Sequence, residues 1–203
     1  MDSLHRLEEL FAKFPGIGPR QAKRFVYYLL NKSPSYIREF TQLIDEVRKS
    51  TSECAQCHRI FFGKSTDGHL CSICTDKHRD GSLLMIVARD SDFETIEKSS
   101  AYKGLYFILG GTIPVLDKEP DKRIRLQGLL EHVTKFKSIG EIILSLNTTP
   151  EGEHTATIVK EALQKVLKDS SVKISLLGRG LSTGAELEYV DGDTIRNALQ
   201  NRH

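Results

Sequence analysis

Four cysteines, all in one stretch, constrain this chain more than any other feature: Cys54-Ala55-Gln56-Cys57, thirteen residues, then Cys71-Ser72-Ile73-Cys74. Each CxxC knuckle turns two sulfurs to one side, so two knuckles can saturate a tetrahedral Zn²⁺. The spacer HRIFFGKSTDGHL predicts two short strands with a turn at Asp67-Gly68, a hairpin that returns the second knuckle to the first. The alternatives are a pair of disulfides or four free thiols. No cysteine is left over, and the opening MDSLHRLEEL lacks the layout of a signal peptide, so an oxidising compartment is not indicated. Four sulfurs leave no open coordination position. The expectation is one structural Zn²⁺ per chain, in a cytoplasmic protein.

The remainder divides into two textures. Leu4, Leu7, Leu10, Phe11 and Phe14 recur at helical steps behind a cap at Asp2 or Ser3. Phe14-Pro15-Gly16-Ile17-Gly18-Pro19 stops that helix, and Pro19 suits the first turn of a second. Ser33-Pro34 opens a third, running toward Arg48. After Gly81 strands and helices alternate. Leu83–Val87, Leu105–Leu109, Glu141–Leu146 and Val172–Leu177 read as strands; Ser91–Ser99, Pro120–Lys137, Glu151–Lys168 and Thr194–Gln200 read as helices. That order predicts an α/β fold with a mostly parallel sheet covered on both faces, its functional loops at the carboxyl ends of the strands. No apolar run approaches the length of a membrane span. A net charge of +2 is too small to imply a polyanion partner by itself, so any such contact must come from local placement of charge.

The Pro-Gly-Ile-Gly-Pro string supplies such a placement. Gly16 and Gly18 let backbone N–H groups approach a phosphate without side-chain obstruction, and the amino end of the next helix adds free donors. Arg20, Lys23 and Arg24 share one helical face beside it. A tight turn with a solvated basic face is the plain alternative. The flanking helices and three cations favour DNA phosphates, read without base specificity.

The segments LFAKFPGIGPRQAKRFVYYLL, the paired CxxC knuckles, YKGLYFILGG, LNTTPEGEHTA and GRGLSTGAELEYVD follow in an order that resembles the bacterial RecR family of recombination mediators, over residues 4–202. The resemblance implies an N-terminal helix-hairpin-helix (1–52), a four-cysteine zinc finger (53–80), a Toprim domain (81–177) and a C-terminal oligomerisation segment (178–203). It implies a tetrameric homo-oligomer that rings or clamps single- and double-stranded DNA. It also implies partnership with RecO and/or RecF in loading recombinase onto single strands. The family's DNA contacts carry over to Arg20 and Arg24, with Lys23 as a neighbour, beside the hairpin glycines Gly16 and Gly18; its zinc ligands carry over to Cys54, Cys57, Cys71 and Cys74, and its RecO-contacting acids to Glu151 and Glu153. Those two acids would also serve as ordinary first-turn residues of a helix.

Catalytic Toprim domains place a Glu after the first strand and a D-x-D after a later one, acids that can hold Mg²⁺. Here Ala88 stands at the first position and Asn147-Thr148-Thr149 at the second. Asp90 and Ser91 are expected to cap the following helix. The chain is therefore expected not to be an enzyme. A metal-dependent nuclease or primase built from Asp90, Asp92, Glu151 and Glu153 is one alternative, and a zinc-ribbon adaptor that binds only protein is another. Gly178–Gly184 lacks the Lys-[Ser/Thr] ending of a P-loop. His58 and His69 are expected to be solvated rather than to ligate metal.

Overall fold

A computed structural model describes residues 2–63, 69–117, 122–168 and 170–202. The chain divides into two compact units, Met1–Thr51 and Ser52–His203.

The first unit holds α1 (Ser3–Ala12), α2 (Pro19–Leu30) and α3 (Pro34–Ser50). Asp2 caps α1 by accepting from the Leu4 amide, and Ser33 caps α3 by accepting from the Tyr36 amide. Helices α1 and α2 pack through Phe11 and Phe25, whose rings meet edge-to-face at 5.7 Å. Ala22 and Val26 of α2 are fully buried. The apolar stripe of α3 behaves differently: Tyr36, Phe40, Leu43, Ile44 and Val47 remain exposed.

In the second unit, β1 (Thr51–Glu53) pairs with β2 (Ile60–Phe62). The hairpin expected inside the cysteine spacer is therefore corrected. The spacer contributes β2, and its partner β1 precedes the first knuckle; the strands clasp the knuckle rather than following it. The expected turn at Asp67-Gly68 lies outside the described residues. A one-turn helix, α4 (Ser72–Thr75), carries the second knuckle.

The main sheet comprises β3 (Asp80–Val87), β4 (Gly104–Ile108), β5 (Glu141–Ser145) and β6 (Lys173–Leu176) in the order β4-β3-β5-β6. All three pairings are parallel. Between the strands run α5 (Asp90–Ser99), α6 (Leu126–Lys135) and α7 (Pro150–Val166), and α8 (Gly192–Gln200) follows β6. The helix expected from Pro120 is shorter. Pro120 lies outside the described residues, and residues 122–125 are not α-helical because the Arg125 amide donates to Leu109 O at 2.8 Å, pinning that stretch to the end of β4.

Alternation along the strands makes two cores. Leu84, Ile86, Phe107, Ile142 and Leu144 face one way, onto Leu129 and Val133 of α6 and Val159 and Leu163 of α7. Met85, Val87, Tyr106 and Ile108 face the other way, onto Phe93 of α5 and the cysteine module through Cys54, Cys57, Cys71 and Ile73. Helices do not suffice on that side. The metal-type module completes the cover.

Candidate functional site

The four cysteine sulfurs converge, all within 4.8 Å of one another, and among the described residues they form the one group of three or more His, Cys, Asp or Glu placed to share a metal ion. Cys54 and Cys74 sulfurs are 3.7 Å apart, and Cys57 and Cys71 sulfurs 3.6 Å. Sulfurs at a Zn–S distance of about 2.3 Å on a tetrahedron would be separated by about 3.8 Å, so the cluster matches the expected edge. All four cysteines are free, which removes the disulfide alternative. Sulfur-to-sulfur hydrogen bonds pull Cys54 far below the ordinary thiol range and push Cys74 far above it. Four such groups in one buried place require a cation before all can be thiolates.

The knuckles are tied into the sheet. Ile108 N donates to Cys57 O at 2.9 Å, and Cys71 N donates to Cys54 Sγ at 3.3 Å. His58 closes the first knuckle in the left-handed region at φ 62°. It is not the solvated histidine expected. Its Nδ1 lies 2.7 Å from Glu53 Oε1, and its ring meets Phe107 edge-on at 5.1 Å. Arg125 Nη2 reaches the same Glu53 oxygen at 3.4 Å. His69, also at positive φ, is exposed and outside the sulfur cluster.

In the first unit, the hairpin between α1 and α2 turns at Gly16, whose φ of +74° suits glycine. A side chain at Gly16 or Gly18 would meet nothing within 4 Å, so their backbone faces open space. The amides of Gly16, Gly18 and Arg20 donate to no acceptor among the described residues. Arg20, Lys23 and Arg24 are exposed on the outer face of α2, opposite Ala22 and Val26. Open amides, a helix amino end and three cations thus lie side by side.

The carboxyl ends of β3 and β5 flank the point where strand order reverses, the usual site of chemistry in such sheets. Ala88 is buried there, at 1% exposure. Beyond β5, Thr149 caps α7 by accepting from Gly152 N. Gly152 is sterically required: a Cβ would come 2.0 Å from Asn147 O. Asp90 does not cap α5, as expected from the sequence, but accepts from Ile60 N at 2.8 Å, fastening β2 to the sheet. The cap position is Arg89, whose amide donates to Asp92 at 3.0 Å. Glu153 is paired with Arg179, at 2.8 Å, while Glu151 is exposed. Asn201 Nδ2 donates to Arg179 O at 2.7 Å, so the C-terminal segment bears on the amino end of α7.

Three family models match: a RecR helix-hairpin-helix over residues 4–48, a Toprim domain over 82–177, and a RecR C-terminal segment over 180–203. The chain is 37% identical over 202 residues to the recombination protein RecR of Legionella pneumophila, covering 100% of this chain and 96% of that one. The chain belongs to the RecR family. A family member from Cereibacter sphaeroides is 36% identical over 199 residues, 98% of this chain and 95% of its own. One from Lactobacillus acidophilus is 30% identical over 196 residues, 97% and 94% of the two chains. A recombination role follows from that membership. No helix among the described residues is long and apolar enough to cross a membrane.

Sequence reasoning missed Asp90 as a fastener, Arg179 as the partner of Glu153, and Arg125 on Glu53. All three are pairings between residues 26 to 72 positions apart, and no local pattern encodes them.

Proposed function

We propose that this RecR-family chain is a non-catalytic, DNA-binding recombination mediator. Its hairpin grips the sugar-phosphate backbone through Gly16, Gly18, Arg20, Lys23 and Arg24, and its α/β body recruits other proteins. The observation that carries this reading is the hairpin: unpaired amides facing open space, beside three exposed cations at a helix amino end. The working division is 1–52 for DNA binding, 53–80 for the metal module, 81–177 for the Toprim body and 178–203 for assembly. The metal is one structural Zn²⁺, held by Cys54, Cys57, Cys71 and Cys74.

The non-catalytic part rests on where the acids go. Ala88 and Asn147 occupy positions where carboxylates would be needed, Asp90 and Asp92 are committed to backbone amides, and Glu153 holds Arg179. Assembly into a ring or clamp, with four copies as the expected number, is supported by exposed apolar side chains in two places. One is α3, with Leu43 and Ile44; the other is the C-terminal stretch, with Leu177, Leu187, Tyr189 and Leu199. Glu151 and Glu153 form the proposed contact for RecO, with RecF as a further partner, in loading recombinase onto single strands in the cytoplasm.

The test is fluorescence anisotropy with a labelled duplex and a labelled single strand, comparing the native chain with Arg24→Glu across a salt series. The variant is expected to lose affinity for both and to show a shallower dependence on salt, with an unchanged melting temperature because Arg24 is exposed. Undiminished binding by Arg24→Glu overturns the reading.

A further inference from the structure

On the outer face of α2 an aromatic ring sits among the cations. Tyr27 follows Arg20 by seven residues, Lys23 by four and Arg24 by three. At 3.6 residues per turn it projects within about 20° of Arg20 and between Lys23 and Arg24, on the side away from Ala22, Val26 and Leu29. The ring is 48% exposed. Lys23 Nζ lies over it, 5.9 Å from the ring centroid, a cation–π contact that helps hold the ring in place.

Its neighbour behaves differently. Tyr28 turns toward an apolar groove lined by Phe11, Phe14, Phe25, Tyr36 and Phe40, and Tyr27 takes no part in that lining. Tyr27 lies outside that groove, a half-exposed ring in the middle of a basic face. Its backbone carbonyl accepts from Asn31 Nδ2 at 2.8 Å, which fixes the last turn of the helix without using the side chain.

A strand held by its phosphates at the hairpin would run past this ring. Tyr27 stands about 4.5 Å beyond Arg24 along the helix axis and about 10.5 Å beyond Arg20, distances comparable to one to three stacked bases. In a duplex the bases are turned inward and stacked on one another. In a single strand a base can swing onto the ring, with Lys23 close to the phosphate that follows.

We infer that Tyr27 is a stacking platform for an unpaired base of single-stranded DNA, giving the hairpin a preference that phosphate contacts alone cannot supply. This rests on the DNA-binding reading of the hairpin. Stacking is tolerant of sequence, because every base has a π-face. The preference is for strandedness and not for particular bases. It is also insensitive to salt, unlike the contributions of Arg20 and Arg24.

The experiment uses the full-length chain, a labelled oligothymidine and a blunt duplex of equal length, with Tyr27→Ala, Tyr27→Trp and Arg24→Glu. Tyr27→Ala should weaken single-strand binding about 5- to 150-fold, the range for loss of one base–aromatic stack. Its duplex affinity should stay within about twofold, and its salt slope should equal that of the native chain. The chain contains no tryptophan. Tyr27→Trp therefore adds a single fluorophore, whose emission should be quenched by the oligothymidine and not by the duplex, with single-strand affinity retained. Equal losses on both DNAs in Tyr27→Ala, unchanged single-strand affinity, or an unquenched tryptophan overturns the inference. If Arg24→Glu weakens binding and Tyr27→Ala does not, the stacking inference alone fails. If neither variant alters binding, the hairpin reading fails with it.

Discussion

Loading the cysteine cluster with zinc should stabilise the whole α/β unit and not only the module. Cys54, Cys57 and Cys71 are at most 1% exposed, and they pack in one core with Met85, Val87, Phe93, Tyr106 and Ile108. Strands β1 and β2 are too short to stand alone. Without metal the four thiols lose their common tie, and loosening of the module would uncover one face of β3 and β4. Raising buffered free zinc from well below the dissociation constant to a thousandfold above it adds about 4 kcal/mol by linkage. For a unit of this size each kcal/mol moves the melting temperature by about 2–4 °C, so the expected rise is about 8–16 °C. The assay is a thermal melt followed by far-ultraviolet circular dichroism and, in parallel, by a zinc-release dye. Both signals should move in one transition, because the sulfurs and the sheet share a core. A melting temperature that stays flat across the zinc titration refutes the reasoning. So does zinc release well below the temperature at which the sheet melts.

Two further outcomes follow from single side chains. His132 is 7% exposed and packed on Phe107 and Phe136, and burial lowers its pKa from 6.5 to about 4, so the native state holds it neutral. The unfolded chain binds the extra proton between those values; stability should therefore fall by about 3 kcal/mol as pH drops from 7 to 4, and urea melts of the native chain and His132→Leu should differ by that pH slope. Asp90→Ala should cost about 1–2 kcal/mol in urea unfolding by removing the acceptor of the Ile60 amide, and Asp90→Asn should restore most of it; equal stability of all three proteins would refute the fastening role.

What was legible in the sequence was whatever local chemistry encodes. The cysteine spacing announced a converging site, because two knuckles have few other uses. The hairpin was legible because Pro15, Gly16, Gly18 and Pro19 cannot continue a helix, and Pro19 begins one. The strands of the main sheet were readable as apolar runs, most clearly β3 and β4, whose apolar stretches are buried on both faces. Their length was not: β3 begins at Asp80, ahead of its apolar run, because Asp80 is paired in register with Gly104. The partner of β2 was misjudged for a related reason. Thr51–Glu53 carries no strand pattern, and a neighbouring strand supplies the order that its own residues do not. The capping assignment for Asp90 failed because Asp at a helix start is a strong local signal, and here a backbone amide 30 residues away outcompetes it.

Four acids of the α/β unit share a disposition that bears on how a nearly neutral chain could handle a polyanion. Glu53 is engaged by His58 and Arg125, Glu97 by Arg79 and Tyr106, Glu141 by Lys173 and Ser175, and Glu153 by Arg179. Burial alone would raise the Glu97 pKa, but hydrogen bonds from Arg79 and Tyr106, together with the guanidinium charges of Arg79 and Arg59, hold that carboxyl below its ordinary value. Each pair offsets its own charge over a short distance, well inside the screening length of about 8 Å at physiological salt. Arg20 and Lys23 on α2 have no carboxylate among their ion-pair partners in the described residues, and Arg24 contacts only the neutral Gln21. A near-zero total thus conceals an uneven distribution. Those four carboxylates are offset locally in the α/β unit, while Arg20, Lys23 and Arg24 on the hairpin face have no carboxylate against them among the described residues, and counterion release depends on such cations.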